Sequence, residues 1–135
     1  MTATRRGLAE WHELATAPDP QRLARLVAED AVFHSPVVHT PQEGRALVVA
    51  YLSAAAATLG QGEFRYVREI VDGENAMLEF TCLLEDIQVN GVDIIRFNDA
   101  GKIVDFKVMI RPIKAVNKVW EQMAAMLEKM KAASA

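Results

Sequence analysis

The sequence predicts an α+β domain in which helices cover one face of a curved, mostly antiparallel sheet. Apolar residues recur at helical spacing near both ends of the chain, whereas the segment that ends at Arg111 alternates with a period of two. The 135 residues are 51% hydrophobic and 24% charged, which is typical of one globular domain. We therefore expect a single domain over residues 1–135.

Two short helices are predicted at the N-terminal end. Leu8, Trp11 and Leu14 recur at the spacing of one helical face. The segment Pro18-Asp19-Pro20 then interrupts the pattern, with Asp19 as N-cap and the following proline in the first helical turn. We expect the second helix to end near Asp30.

A short strand and a long helix follow. Residues 31–35 have the pattern of one strand, which Pro36 closes. Residues 42–59 are rich in alanine and leucine, and Gly60 follows them as a helix-ending signal. This segment is predicted to be the long central helix.

Four antiparallel strands are predicted next, followed by a last helix. Turn residues at 72–75, 85–88 and 98–101 separate alternating runs, as in hairpin links. Pro112 ends the last run, and apolar residues then recur at spacings of three and four. The prediction is a four-stranded meander and a C-terminal amphipathic helix.

The charge pattern and the single cysteine bear on compartment and partners. Fifteen basic residues stand against eighteen acidic ones, and the two signs are interspersed, so we expect no nucleic-acid partner. Cys82 has no second cysteine to pair with, and we find neither a signal peptide nor a run long enough to span a membrane. The three histidines lack ligand spacing. We expect a cytoplasmic protein without a metal or other cofactor.

Four segments carry a resemblance to a known family. They are residues 11–14 on the first helix, 31–36 on the first strand, Gly44-Arg45 before the long helix, and 93–103 in the meander. In this order they resemble the NTF2-like superfamily, and within it the ketosteroid isomerase and SnoaL-like branch. The resemblance covers nearly the whole chain and implies a cone-shaped fold whose sheet wraps around the long helix. That fold hosts isomerases, cyclases, dehydratases and plain binding domains.

The resemblance to ketosteroid isomerase also implies catalytic positions. That enzyme uses one Asp as general base, and a Tyr with a protonated Asp as its oxyanion hole. Asp93 matches the protonated Asp, Trp11 stands at the Tyr position, and Ser35 stands at the base position. An indole N–H still donates a hydrogen bond, but a serine hydroxyl takes no proton at neutral pH without a helper base. We expect Asp93 and Trp11 to bind a ligand oxygen, with the family base missing.

Three histidines are candidates to replace the missing general base. The base of the SnoaL-like cyclases is missing as well, because its position is occupied by Arg111-Pro112. His12, His34 and His39 are the candidates, although alternation along a strand sends His34 and Ser35 to opposite faces.

An apolar pocket is expected on the concave face of the sheet. Its predicted lining is Phe33, Tyr51, Leu78, Phe80, Cys82, Ile95, Phe106, Val108 and Ile110. Such a pocket suits a small, flat, hydrophobic molecule with a carbonyl or phenol oxygen. The sequence leaves two functions open: a proton-transfer isomerase or lyase, or a non-catalytic dimer that binds a ligand or a protein.

The opposite face of the sheet mixes charged and apolar residues. Glu79, Arg96, Asp105 and Lys107 are placed to form cross-strand ion pairs. Apolar Met77, Leu83, Ile94 and Met109 lie among them, a mixture more typical of an interface than of open solvent. The resemblance also implies a homodimer formed through this sheet.

Overall fold

The computed structural model describes residues 2–60 and 62–133 and has the predicted α+β architecture. Its helices are α1 (Ala3–Thr16), α2 (Pro20–Leu26), α3 (Arg45–Leu59) and α4 (Ile113–Ala133). Its strands are β1 (Val27–His34), β2 (Gln42–Glu43), β3 (Arg65–Asp72), β4 (Asn75–Leu84), β5 (Ile87–Phe97) and β6 (Ile103–Arg111). The strands form one curved, unclosed sheet in the order β2-β1-β6-β5-β4-β3. The β1–β6 pair is parallel and the other pairs are antiparallel, which confirms the predicted mostly antiparallel character, although β2 was not predicted as a strand.

The boundary between α2 and β1 differs from the prediction. Asp19 caps α2 as expected, because its side chain accepts hydrogen bonds from two backbone N–H groups of the first turn. The helix nevertheless ends at Leu26, and not near Asp30. Val27 is fully buried and pairs with Ile103 of β6, so the chain enters the sheet four residues earlier than the helical pattern suggests.

The start of the long helix also differs from the prediction. α3 begins at Arg45, because residues 42–43 pair as β2 with Val32 and Phe33 of β1. Gly44 stands between β2 and the helix with a φ of 98°, a backbone conformation that favours glycine and that no helix interior contains. The helix then runs to Leu59, where the sequence places its end.

The core lies between the concave face of the sheet and the helices. In β4 the side chains of Leu78, Phe80, Cys82 and Leu84 are buried, whereas Met77 on the other face is 40% exposed. This alternation is the one that the sequence predicts. Helices α1, α3 and α4 pack on the buried side of the sheet.

A glycine sets how closely α1 approaches the sheet. A Cβ atom at Gly7 would collide with the backbone carbonyl of Gly101 and with the ring of Phe97. The close approach places Trp11, one turn further along α1, edge-on against Phe106 of β6 at 4.9 Å between ring centroids. Trp11 is thereby held over the concave face.

Candidate functional site

Three side chains from three elements form a hydrogen-bonded chain on the concave face. The Nε1 of Trp11 on α1 donates to the hydroxyl of Tyr66 on β3 at 3.0 Å. The hydroxyl of Tyr66 donates to Oδ2 of Asp93 on β5 at 2.6 Å. Trp11 and Asp93, which the sequence singles out separately, are therefore joined through Tyr66.

The sequence prediction does not include Tyr66. In the sheet Tyr66 lies opposite Phe80 of β4, which lies opposite Gly91 of β5, two residues from Asp93. A Cβ atom at Gly91 would collide with the ring of Phe80, so the glycine allows close packing beside the site. The two-residue spacing of Phe64 and Tyr66 was a signal in the sequence that both side chains lie on one face of a strand. That this face lies beside Asp93 follows only from the pairing of β3, β4 and β5.

Burial controls the protonation of the two acidic groups. Asp93 is 6% exposed, and its strand partners Leu78 and Val108 are buried apolar residues. Burial raises the pKa of Asp93 from 3.8 to about 7, against the lowering effect of the hydrogen bond from Tyr66. Burial, and after it the charge of Asp93, raise the pKa of Tyr66 well above 10. Near neutral pH the site thus combines a carboxyl group that titrates with a phenol that stays protonated.

Aromatic rings surround this polar chain. Phe33 lies 6.1 Å from Phe106 and 5.4 Å from Tyr51, measured between ring centroids. On the other side Phe64 packs edge-on against Tyr66 at 5.1 Å. Their faces and edges provide an apolar environment in which a hydrogen bond or a charge acts more strongly than it does in water.

The residues predicted to line a pocket are buried or partly buried in the core. The buried ones are Phe33, Leu78, Phe80, Cys82, Ile95, Phe106 and Val108. Tyr51 and Ile110 are partly buried and pack against this group. Burial raises the pKa of the Cys82 thiol to about 11, so the thiol stays protonated at neutral pH.

Ser35 lies just beyond the end of β1. Its Oγ accepts a hydrogen bond from the backbone N–H of Val37 at 3.1 Å, which is a local turn contact. The neighbouring His34 has its Nε2 2.9 Å from Oδ1 of Asp105. His34 is therefore paired with a carboxylate of β6.

His12 borders the polar chain. Its Nε2 lies 2.6 Å from Oε1 of Glu69 on β3, and its ring stands edge-on to the ring of Tyr66 at 5.5 Å. His39 is exposed in the segment before β2. Of the three histidines, His12 is thus the one whose contact with a residue of the polar chain is established.

Two further observations concern metals and membranes. Within residues 2–60 and 62–133, no three His, Cys, Asp or Glu side chains are grouped as metal ligands. In the same part of the chain, none of the helices has the length and apolar character needed to cross a bilayer.

The comparison with protein families identifies the family of this chain. The profile of the SnoaL-like domain matches residues 8–106. The chain belongs to the SnoaL-like domain family. The SnoaL-like match includes Trp11, Ser35, Tyr66 and Asp93, so the whole polar chain lies inside the family's domain.

Three solved structures of similar proteins agree with this placement. A steroid delta-isomerase from Pseudomonas aeruginosa is 36% identical, with 98% of this chain and 96% of that chain covered and a TM-score of 0.91. A bacterial protein with a cystatin-like fold from Silicibacter pomeroyi is 34% identical, covering 88% and 83% of the two chains with a TM-score of 0.81. An NTF2-like protein from Mesorhizobium loti is 25% identical over 82% and 92%, with a TM-score of 0.69.

The comparison with curated proteins gives no match. The resemblance to the ketosteroid isomerase and SnoaL-like branch is nevertheless confirmed by the family match and by the structures. This SnoaL-like fold supports an isomerase-type or ligand-binding role.

Proposed function

We propose that this SnoaL-like protein binds a small hydrophobic molecule at Asp93 and Tyr66, through a carbonyl or phenol oxygen of that molecule. The observation that carries the proposal is the 2.6 Å hydrogen bond between the Tyr66 hydroxyl and Asp93, a carboxyl group that is 6% exposed. Buried polar groups held in fixed positions recognise a ligand oxygen more selectively than an apolar wall does. The surrounding aromatic rings supply the apolar contact.

Any turnover at this site is a proton-transfer isomerisation or elimination. The proposal does not assign the base to Ser35, because a serine hydroxyl takes no proton at neutral pH without a helper base and the contact of its Oγ is with the Val37 N–H. His12 takes that role in the proposal. A histidine paired with a carboxylate such as Glu69 is held in one orientation, and the imidazole lies against the ring of Tyr66.

Thermal-shift measurements test the binding proposal. A ligand that binds only the folded state raises the melting temperature, by the equivalent of about 2.7 kcal/mol at a concentration of 100 Kd. Steroids, phenols and small aromatic ketones should stabilise the native protein, and Asp93→Asn should change the size of that shift. Asp105→Asn is the matched control, because Asp105 is paired with His34 on a different strand pair.

Two outcomes would contradict this proposal. One is that no apolar ligand changes the melting temperature of the native protein. The other is that Asp93→Asn and Asp105→Asn respond equally to each ligand, which would place binding away from Asp93.

A second candidate function is that of a dimeric binding module. The observation that favours it is an apolar groove of about 370 Å³ on the convex side of the sheet. Ile110, which the sequence analysis expected in the concave pocket, also lines this groove. We call its other large apolar residues, Ile70, Met77, Val92 and Met109, the outer patch. Ile70 is 54% exposed and Met109 is 53% exposed, which is unusual for large apolar side chains on a sheet.

Charged residues at the groove fit a second copy of this chain as the occupant. Arg68 and Arg111 line the groove together with Glu79, so the same surface presents both signs to an identical partner. Arg68 Nε lies 3.3 Å from Glu79 Oε1, and Asp105 pairs with His34. Glu79 and Asp105 therefore have ion-pair partners other than Arg96 and Lys107, with which the sequence analysis expected them to pair.

A further inference from the structure

The hydroxyl of Thr58 on α3 is buried without a hydrogen-bond partner in the described part of the chain. We infer that this hydroxyl is a second anchor for the ligand, and that the ligand is an elongated apolar molecule with an oxygen atom at each end. The inference rests on the proposed function and deepens it, because it adds a subsite and narrows the ligand class. Asp93 and Tyr66 hold one end of the ligand, and Thr58 holds the other.

Thr58 is an exception among the buried polar side chains. It is 0% exposed, and within residues 2–60 and 62–133 its Oγ1 is the one fully buried side-chain nitrogen or oxygen atom that lacks a partner. A threonine inside a helix commonly donates to the backbone carbonyl four residues earlier, here that of Ala54, but Thr58 does not. A buried hydroxyl without a partner destabilises the fold, because it loses its hydrogen bonds to water and gains none. An oxygen atom of a ligand would supply the missing partner.

The position of Thr58 on α3 relates it to the aromatic rings of the site. Tyr51 lies seven residues earlier, which places both residues on nearly the same face of the helix, about 10 Å apart along its axis. The ring of Tyr51 packs against Phe33. Phe33 packs in turn against Phe106, which contacts Trp11 of the polar chain. Thr58 therefore lies on the helix face that borders the site, two turns beyond Tyr51.

The side chains between Tyr51 and Thr58 on this face are small. Ala54 and Ala55 stand four and three residues before Thr58, so they share its face of the helix. Ala54 is fully buried, and Ala55 packs against the core. An apolar molecule that lies along α3 would contact these methyl groups and would reach both the ring of Tyr51 and the hydroxyl of Thr58.

The two anchors define the chemistry of the ligand. A threonine hydroxyl both donates and accepts, so the second oxygen of the ligand belongs to a hydroxyl or a carbonyl group. The walls between the anchors are aromatic rings and methyl groups, so the middle of the ligand is apolar. A rigid ligand suits this arrangement best, because it loses little conformational freedom when both ends bind.

Two rigid phenols separate the contribution of Thr58 from that of the rest of the site. 4,4′-Biphenol has a hydroxyl at each end, whereas 4-phenylphenol has the same two rings and a single hydroxyl. Calorimetric titration of the native protein should give 4,4′-biphenol a Kd about tenfold lower, because its second hydroxyl pairs with the otherwise unpaired group.

Thr58→Val should remove this preference, since valine has nearly the same shape as threonine and offers no hydrogen-bond partner. Thr81→Val is the matched control, and it should retain the native preference. Thr81 is half-buried on β4 between Phe80 and Cys82, which are buried, so its side chain lies on the outer face of the sheet.

The ligand-free protein gives an independent test of the same subsite. Thr58→Val removes a buried hydroxyl that has no partner, and the two residues have similar helix propensities. The melting temperature should therefore rise by a few degrees, whereas most core substitutions lower it. A purely structural role of Thr58 would not combine a gain in stability with a loss of affinity for 4,4′-biphenol.

The outcomes are distinguishable. Equal binding of the two phenols by the native protein, or an unchanged preference in Thr58→Val, would overturn the inference while leaving a ligand site at Asp93. A Thr58→Val variant that melts at or below the native temperature would also overturn it, because the hydroxyl would then have a partner in the free protein. Failure of both phenols to bind, together with the steroids and ketones used above, would overturn the proposed function itself.

Discussion

Asp93 is the charged residue that folding removes from water in the described part of the chain, since the other two buried polar side chains are Thr4 and Thr58. Removing a carboxylate from water disfavours its charged form, and one donor from Tyr66 offsets only part of this effect. The residue at which we propose ligand binding is thus also one that makes folding sensitive to pH.

We predict that stability falls as the pH rises through the folded-state pKa of Asp93. That pKa is about 7, above the ordinary value of 3.8, so the protonated group favours folding. Its contribution is fully present below about pH 4, declines between about pH 4 and 7, and is lost above that range. Between pH 5 and 8 the expected loss is about 3 kcal/mol.

Urea unfolding at pH 5 and pH 8 measures this change. Asp93→Asn cannot ionise and should lack this part of the pH dependence. Tyr66→Phe should extend the decline to higher pH, because it removes the hydrogen bond that lowers the pKa of Asp93. An equal decline in the native protein and in Asp93→Asn would assign the titration to another group.

At the scale of elements, local signals in the sequence predict where some helices begin. They do not predict helix boundaries that are set by pairing with a strand of the sheet. Asp19 and Pro20 specify the start of α2, because the cap acts within one turn. The end of α2 and the start of α3 depend on Val27 and Gln42, which pair with strands distant in the sequence or across a loop. Such pairing overrides helical spacing and has no local signal.

The docking of α1 yields a prediction at this scale. Gly7→Ala should destabilise the protein, although alanine favours a helix over glycine by about 1 kcal/mol. The added methyl group would meet the Gly101 carbonyl and the Phe97 ring, so α1 must move outward and carry Trp11 away from Tyr66. Overpacking of this kind costs roughly 1–3 kcal/mol.

Denaturant unfolding measures the loss of stability in Gly7→Ala, and tryptophan fluorescence measures the displacement of Trp11. A background of Trp120→Phe leaves Trp11 as the reporter, and Trp120 is 58% exposed on α4. A gain of about 1 kcal/mol in Gly7→Ala would mean that helix propensity decides the result, and that α1 does not approach the sheet closely.

At the scale of the whole molecule, the order of elements apart from β2, and two of the three residues of the polar chain, could be predicted from the sequence. Trp11 and Asp93 lie in segments that resemble a known family, and the resemblance assigns them positions. Tyr66 could not be found in this way, because its role depends on the register of β3, β4 and β5 together. The paired states of His12 and His34 with carboxylates also arise only when distant strands and helices meet.

The outer patch leads to the last prediction, a homodimer formed through the convex face of the sheet. A two-fold contact brings the same residues of both copies together near the axis, so an added charge meets its own copy. Met109→Glu should therefore convert the dimer to a monomer, as measured by sedimentation equilibrium over a range of protein concentrations. A stable interface must bury about 800 Å² on each copy, so the contact extends beyond the groove to neighbouring residues of β3 to β6.

Leu47→Glu is the matched control, because Leu47 is 45% exposed on α3 and its replacement should leave the dimer intact. A native protein that sediments as a monomer, or a Met109→Glu variant that remains dimeric, would remove the support for the second candidate function. Ligand titrations of the Met109→Glu monomer then show whether the site at Asp93 depends on the assembly. Asp93 and Tyr66 belong to one chain and lie on the opposite face of the sheet, so we expect the ligand affinity to stay unchanged.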